Sequence, residues 1–121
     1  MLKRNLVMLI DDEADIISLF TEVLETNGIG VRAFSNPEEA LKEFRHNHES
    51  YNLVISDIRM KPMSGIEFIK KVQEIDSDIK TILMTAFEIE GNQLKEIHSD
   101  EFFNKPIRIN DLVRVVKKYV G

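Results

Sequence analysis

The sequence predicts a doubly wound α/β fold, a three-layer sandwich in which a five-stranded parallel sheet carries five helices. Three observations lead to this prediction. Short apolar runs alternate along the chain with longer amphipathic segments, which is typical of consecutive βα units. The chain has 121 residues and a hydrophobic fraction of 43%, enough for one domain with one core. No repeat, low-complexity tract or linker interrupts it, so residues 1–121 are interpreted as a single domain.

The composition narrows the function classes before any motif is considered. The chain contains no cysteine, which excludes disulfides, thiolate nucleophiles and cysteine metal sites and fits a reducing compartment. Its formal net charge is -5, so the surface repels phosphate backbones on average and direct binding of nucleic acid is not expected. The apolar run at 6–10 is too short for a signal-peptide core or a membrane span. We therefore expect a cytoplasmic protein that does not associate with a membrane.

The strands are predicted from the short apolar runs. The first run has no polar position and is closed by acid residues, which is the pattern of a strand buried on both faces. The four later runs are weaker or shorter but also stand between amphipathic segments. The predicted strands are residues 6–10, 31–34, 53–56, 81–84 and 102–103.

The helices are predicted where apolar residues recur at helical spacing. The first helix, 14–27, ends at Gly28, which suits a left-handed C-terminal cap. The second follows the N-cap Asn36, the third begins at Ser64-Gly65, and the last follows Asn110. The segment 88–97 has few apolar residues to bury and is interpreted as a marginal helix. The residues expected to face the core are Ile16, Ile17, Phe20, Val23 and Leu24 in the first helix; Ala40, Leu41 and Phe44 in the second; Ile66, Ile69, Val72 and Ile75 in the third; and Leu112, Val113, Val116 and Tyr119 in the last.

Polar and charged residues stand at the strand ends, where a doubly wound sheet binds its ligands. They are Asp11, Asp12, Asp57, Thr85 and Lys105. Two carboxylates about 4 Å apart repel one another by roughly 4 kcal/mol in a surface-like dielectric, so clustered acids either raise a carboxyl pKa or recruit a cation. An all-oxygen site at a solvent-facing edge suits Mg²⁺, with Mn²⁺ as the alternative ion. Taken alone, the Asp11-Asp12 pair would be interpreted as a helix cap.

Thr85 and Lys105, the other two strand-end residues, add groups that bind phosphoryl oxygens to the predicted cation site. Lys105 supplies an ammonium group, and Thr85 supplies a hydroxyl donor. A hard cation, an ammonium and a hydroxyl around one carboxylate are the parts of a phosphoryl-transfer site in which the carboxylate attacks phosphorus. The apolar neighbours Phe103 and Ile107 favour an anionic partner for Lys105 over an outward-pointing side chain.

Four short motifs follow four of the predicted strands in a fixed order. They are Asp11-Asp12, Asp57, Thr85-Ala86 and Lys105-Pro106. In this order and at these strand ends they resemble the response-regulator receiver domains of two-component signalling, in the stand-alone form. The resemblance covers essentially the whole chain and implies the flavodoxin-like strand order 2-1-3-4-5.

The resemblance implies a role for each of these residues. Asp57 would accept a phosphoryl group from a phosphohistidine on a sensor histidine kinase or phosphotransfer protein, in a Mg²⁺-dependent reaction. The Lys105-Pro106 bond would be cis. The other implied roles are metal ligation by Asp12, Asp57 and the backbone carbonyl of Arg59, with Asp11 acting largely through water; phosphoryl contacts from Thr85, Lys105 and the backbone of Ala86; and a switch pair formed by Thr85 and Phe102.

The resemblance implies a signalling switch that catalyses only its own phosphorylation and dephosphorylation, rather than an enzyme with a separate substrate. The signal would pass to an unidentified downstream protein through the face made by segment 88–97, the fifth strand and the last helix. The chain would act as a monomer or as a phosphorylation-dependent dimer. No effector domain follows Gly121 in the sequence, so we expect signalling by contact or by phosphorelay.

The sequence departs from the family pattern at two places. Pro62 stands one residue later than the family proline that follows the acceptor, and the chain between Thr85 and Lys105 is slightly shorter than usual.

Two alternative functions are considered for this set of residues. An aspartyl-nucleophile phosphohydrolase of the haloacid dehalogenase type would need a second acid where Arg59 stands. A receiver-like adaptor would bind its partners without phosphorylation, so Asp57→Asn would leave binding unchanged.

Overall fold

The computed structural model describes residues 6–86 and 99–120 and contains a five-stranded sheet. Its strands are β1 (Leu6–Ile10), β2 (Gly30–Phe34), β3 (Tyr51–Asp57), β4 (Lys80–Thr85) and β5 (Glu101–Asn104). They lie in the order β2-β1-β3-β4-β5, and each neighbouring pair is parallel. The predicted doubly wound fold and its strand order are therefore confirmed.

Helices connect the strands and cover both faces of the sheet. Within the described residues they are α1 (Ala14–Thr26), α2 (Pro37–Asn47), α3 (Gly65–Ile75) and α4 (Ile109–Val120), with a short 3-10 turn (His48–Ser50) after α2. The predicted helix at 88–97 lies outside the described residues. No helix in the described ranges combines the length and the apolar character that crossing a membrane requires.

The core consists of two clusters, one on each face of the sheet. Because β1 lies between them, its residues from position 7 to position 10 are all fully buried, which explains the absence of a polar position in this strand. The cluster under α2 and α3 includes the aromatic side chains of Phe44, Tyr51 and Phe68. The cluster under α1 and α4 includes Phe20, Leu24 and Leu112.

Three of the predicted helix ends are confirmed. Asn36 caps α2 because its side-chain oxygen accepts the backbone N–H of Glu38 at 2.8 Å. The Ser64 hydroxyl accepts the backbone N–H of Glu67 at 3.2 Å and caps α3. Gly28 follows α1 with a φ of +80°, the left-handed conformation that favours glycine.

The predicted cap of the last helix is wrong by two residues, because the N-cap position is that of Arg108. Helix α4 begins at Ile109, so Asn110 lies inside its first turn. The backbone N–H of Leu112 donates to the carbonyl of Arg108 at 3.0 Å, which places the start of the helix before Asn110.

Most residues predicted to face the core do so, but Ile17, Val23 and Val113 are only half-buried and are not among the described residues packed into either core cluster. Val115 of α4 is buried, whereas Val113 is half-buried. Both are valines in a valine-rich stretch, so hydropathy alone does not separate them. Phe68 of α3 is fully buried beside Ile69, although only the Ile66, Ile69, Val72 and Ile75 stripe was expected to face the core.

Candidate functional site

The predicted strand-end residues meet at the carboxyl edge of the sheet. Asp11 directly follows β1, Asp57 ends β3 and Thr85 ends β4, while Lys105 directly follows β5. The strands β1, β3, β4 and β5 are neighbours in this order, so their carboxyl ends form one continuous rim. This rim is where an open parallel sheet binds its ligands.

Three carboxylates lie together on this rim. Asp11, Asp12 and Asp57 each offer an oxygen atom, and these atoms lie within 4.8 Å of one another. Asp11 is fully buried and Asp57 is 5% exposed, whereas Asp12 faces solvent. One oxygen of Asp11 accepts the backbone N–H of Glu13 at 2.9 Å, which fixes the turn between β1 and α1. The cluster is therefore preformed at its base and open at its outer side.

The ammonium of Lys105 is shared among the acids of the rim. Its Nζ atom donates to Asp11 Oδ2 at 2.7 Å and lies 3.5 Å from Asp57 Oδ1 and 3.6 Å from Glu13 Oε1. The Lys105 side chain is 9% exposed, and its backbone N–H donates to the carbonyl of Thr85 at 2.7 Å. The predicted anionic partner of Lys105 is confirmed. Glu13 was not among the predicted site residues.

Burial and crowding shift the protonation of this cluster. Burial, followed by the charge of Asp11, raises the pKa of Asp57 to about 6, although Lys105 opposes the rise. Burial also raises the pKa of Asp11 despite its hydrogen bond from Lys105. Burial alone would lower the pKa of Lys105, but its hydrogen bond to Asp11 and the nearby charges of Asp11, Asp57 and Glu13 raise it overall. Asp57 is consequently ionised at neutral pH while keeping an unusually basic carboxylate.

Three hydrogen bonds fix the main chain around Asp57. The Ser56 hydroxyl donates to the Asp57 carbonyl at 2.9 Å, and the next backbone N–H, that of Ile58, donates to the Met84 carbonyl at 2.8 Å. Gly65 donates its N–H to the Ile58 carbonyl at 2.8 Å. A Cβ atom at Gly65 would lie 2.0 Å from the Asp57 carbonyl oxygen, so only glycine allows this approach of α3 to the acid.

The other predicted residues surround the cluster at different depths. Thr85 is 1% exposed, and Phe102 is half-buried against the core cluster under α2 and α3. Ala86 and Arg59 are exposed beside the rim. These positions give the site a buried floor and a solvent-facing mouth.

Two peptide bonds that precede proline are cis. One joins Lys105 to Pro106, next to the site lysine. The other joins Lys61 to Pro62, in the loop between β3 and α3 where the proline is displaced from the family position. The family resemblance implied the first of these cis bonds and not the second.

The donor set of the rim fits a hard divalent cation. Asp11, Asp12 and Asp57 supply carboxylate oxygens, which are the ligands that Mg²⁺ prefers. The exposure of Asp12 leaves a side on which the ion could keep water molecules. The charges of Asp11 and Asp12 help to raise the pKa of Asp57, so a bound cation would also reduce this repulsion.

Comparison with known proteins agrees with this arrangement. The family model of the response regulator receiver domain matches residues 7–117. Sporulation initiation phosphotransferase F of Bacillus subtilis (strain 168) is 33% identical over 116 residues, which cover 94% of this chain and 92% of that protein. The transcriptional regulatory protein CpxR homolog of Haemophilus influenzae is 29% identical over 92% of this chain, and the chain spans about half, 48%, of that relative's length.

A solved structure gives the same result at the level of coordinates. The response regulator protein TrrA from Thermotoga maritima, crystallised in complex with Mg²⁺-BeF, superposes with a TM-score of 0.85. It is 34% identical to this chain, and the match covers 95% of this chain and 98% of that one.

Proposed function

Because this chain belongs to the response regulator receiver domain family, we propose that it is a phosphoaspartate switch of two-component signalling whose acceptor is Asp57. One observation carries the choice of acceptor. Two buried acids belong to the carboxylate cluster and contact the ammonium of Lys105, and of these Asp57 lies 3.5 Å from the ammonium and remains 5% exposed. Asp11 meets the same two conditions but is fully buried and already holds Lys105 at 2.7 Å.

In the proposed reaction the Asp57 carboxylate attacks the phosphorus of a phosphohistidine. An O–P bond forms at Asp57 while the P–N bond of the donor breaks, and the leaving imidazole takes up a proton. The pKa of about 6 supports this role, because the carboxylate is ionised at neutral pH and more basic than an ordinary aspartate. Water then attacks the phosphoaspartate, which restores the carboxylate and releases inorganic phosphate.

Three groups are proposed to stabilise the charge on the transferred phosphoryl oxygens. Lys105 would turn its ammonium from the acids of the rim toward the phosphoryl group. Thr85 would donate its hydroxyl from the end of the neighbouring strand β4, and Ala86 would donate its backbone N–H.

The residues that would hold Mg²⁺ are Asp12, Asp57 and the backbone carbonyl of Arg59, with Asp11 acting through water. When bound, the ion would supply charge neutralisation and would orient the phosphoryl oxygens. The part played by the protein is to keep the acids within 4.8 Å of one another, so that the donor set is assembled before a phosphodonor arrives.

Phosphorylation is proposed to change the face formed by segment 88–97, β5 and α4. Phe102 lies on β5 opposite Leu83 of β4, two residues before Thr85, so a movement of Thr85 would act on its immediate surroundings. On the same face Glu101 accepts from Lys118 and from the Tyr119 hydroxyl, both at 3.0 Å. This contact between β5 and α4 is part of the proposed output surface.

The proposed partners are a sensor histidine kinase or phosphotransfer protein on the input side and a downstream protein on the output side. The named function of the Bacillus relative, a phosphotransferase of sporulation initiation, supports an exchange of phosphoryl groups. We also propose a cytoplasmic location, and a monomer or a dimer that depends on phosphorylation.

The alternative functions are less well supported. In a phosphohydrolase of the haloacid dehalogenase type the position two residues after the nucleophile carries an acid, and here Arg59 stands there. An adaptor that binds without phosphorylation has no use for the shared ammonium and carboxylates of the rim.

The test is intact-mass analysis after incubation with acetyl phosphate. We expect one added phosphoryl group in the presence of Mg²⁺, none with EDTA and none in Asp57→Asn. Asp111→Asn serves as the matched control, because it makes the same chemical change on α4 and should leave phosphorylation unchanged. Persistent modification of Asp57→Asn would assign the acceptor to another residue, and no modification of the wild type would favour the adaptor.

A further inference from the structure

Glu13 occupies the N-cap position of α1 but does not cap it. Its backbone has the extended conformation of an N-cap, yet its side chain makes no capping hydrogen bond. Glutamate is not among the residues preferred at this position, since serine, threonine, aspartate and asparagine reach the free N–H groups better. The carboxylate instead lies 3.6 Å from the ammonium of Lys105. The side chain is therefore placed for a contact outside its own helix.

The three acids around Lys105 differ in how firmly they are held. Asp11 is fully buried and lies 2.7 Å from the ammonium, so its contact is part of the floor of the site. Asp57 is the proposed acceptor. Glu13 is 60% exposed in its side chain and can turn into solvent at little cost. Of these acids, Glu13 is the one whose hold on Lys105 can be released without unpacking the site.

Resting on the proposed function, we propose that Glu13 is a positioning residue that competes with the phosphoryl group for the ammonium of Lys105. A phosphoryl group on Asp57 would bring negative oxygens that need this ammonium. While the Glu13 carboxylate pairs with the ammonium of Lys105, the ammonium attracts the oxygens of the incoming phosphoryl group less strongly. Glu13 would thus weaken the binding of phosphoryl groups without touching them.

The competition predicts a specific effect of Glu13→Gln. This change keeps the shape of the side chain and removes its charge, so Lys105 becomes more available. The apparent dissociation constant for fluoroberyllate, a phosphoryl mimic that binds carboxylates, should fall by about two- to fivefold, the range expected for an exposed ion pair. It is measured by titration in the presence of Mg²⁺, with the backbone amide of Thr85 followed by NMR. Glu25→Gln, an exposed glutamate of the same helix, is the charge-matched control and should not change the constant.

A second variant separates competition for Lys105 from simple charge repulsion. Glu13→Asp keeps the negative charge but shortens the side chain by one methylene, which removes the carboxylate from the reach of Lys105. If Glu13 acts through Lys105, Glu13→Asp should bind fluoroberyllate as tightly as Glu13→Gln. If Glu13→Asp binds like the wild type, repulsion is the cause and the inference is overturned.

The same titration separates this inference from the proposed function. If the wild type binds fluoroberyllate and Glu13→Gln binds it equally, only the role of Glu13 is wrong. If the wild type neither binds fluoroberyllate nor takes up a phosphoryl group from acetyl phosphate, the proposed function itself is wrong.

Discussion

Acidic side chains have opposite surroundings at the two ends of the parallel strands, called here the amino edge and the carboxyl edge of the sheet. Near the amino edge Glu43 of α2 accepts from the Tyr51 hydroxyl at 2.5 Å, from Asn47 at 2.8 Å and from Arg32 at 3.1 Å. Burial alone would raise the pKa of Glu43, but these donors lower it overall. At the carboxyl edge the situation is reversed, because several acids share the ammonium of Lys105.

The difference separates a structural contact from a reactive one. Where several donors surround one acid, the charge is stabilised and the contact joins α2 to β2 and β3. Where several acids share a donor, the charge of Asp57 is disfavoured and its pKa rises to about 6. The amino edge should therefore contribute to stability, and the carboxyl edge should cost stability in exchange for reactivity.

The largest effect is expected where the carboxyl edge is held in shape. Gly65→Ala places a Cβ atom against the Asp57 carbonyl, at a distance of 2.0 Å that the backbone must relieve. We expect a loss of about 3 kcal/mol in the free energy of unfolding, at the upper end for overpacking, and slower phosphorylation of Asp57. Urea unfolding and the rate of mass gain with acetyl phosphate measure the two effects.

Gly28→Ala is the control for this prediction. Gly28 has a φ of +80°, and no atom of residues 6–86 and 99–120 lies within 4 Å of an added Cβ, so we expect a loss of about 1 kcal/mol from backbone strain and no change in phosphorylation. Equal losses in the two variants would show that the close approach at Gly65 is unimportant.

A smaller loss is expected at the amino edge. Tyr51→Phe removes the hydroxyl that donates to Glu43 and keeps the fully buried ring. A hydrogen bond to a charged group contributes about 1.5–3 kcal/mol, so we expect the free energy of unfolding to fall by about 2 kcal/mol. Urea unfolding measures it.

The matched control makes the same chemical change at a more exposed position. The Tyr119 hydroxyl donates to Glu101 at 3.0 Å near the protein surface, so Tyr119→Phe should cost less than about 0.5 kcal/mol. If Tyr51→Phe proves as mild as Tyr119→Phe, the amino edge does not owe its stability to the donors around Glu43.

The opposite sign is expected for Asp57→Asn. This change removes a buried charge whose ionisation the folded state disfavours, so in EDTA at pH 7 the free energy of unfolding should rise by about 1–2 kcal/mol. The rise is smaller than the full shift in pKa suggests, because Lys105 loses one of its anionic partners. Thermal or urea unfolding in EDTA measures it, and a loss of stability would contradict the comparison between the edges.

The gain should also depend on pH. The pKa of Asp57 is about 6 in the folded state, whereas the ordinary value of 3.8 applies to the unfolded chain. Between these two pH values the folded wild type therefore binds a proton that the unfolded chain does not. The wild type therefore gains stability relative to Asp57→Asn as the pH falls from above 6 toward 4. A difference that stays constant across this window would mean that the charge of Asp57 is not the cause.

The fold and most of the rim could be predicted because their signals are local. An apolar run closed by acids, such as the one that ends at Asp11, marks both a buried strand and the position of its carboxyl end. Once the strands are in order, their end residues must share an edge, which brings Asp57 and Lys105 together from distant parts of the chain.

The contacts that the sequence analysis missed depend on side-chain direction across elements. Glu13 appears in the sequence as one more acid at a helix start, and its contact with Lys105 follows only from the turn that its N–H makes to Asp11. Tyr51 and Glu43 lie on different elements, and no local pattern pairs them. Their donors and acceptors are specified by packing, which hydrophobic periodicity does not describe.

The hydrogen bond from the backbone N–H of Lys105 to the carbonyl of Thr85 has a mechanical consequence. It couples the main chains of the two residues proposed to grasp the phosphoryl group, at a length of 2.7 Å and at the point where β4 and β5 end. A shift of Thr85 toward the phosphoryl group would therefore also move the main chain of Lys105, directly after β5. The hydroxyl and the ammonium would then approach the phosphoryl oxygens together.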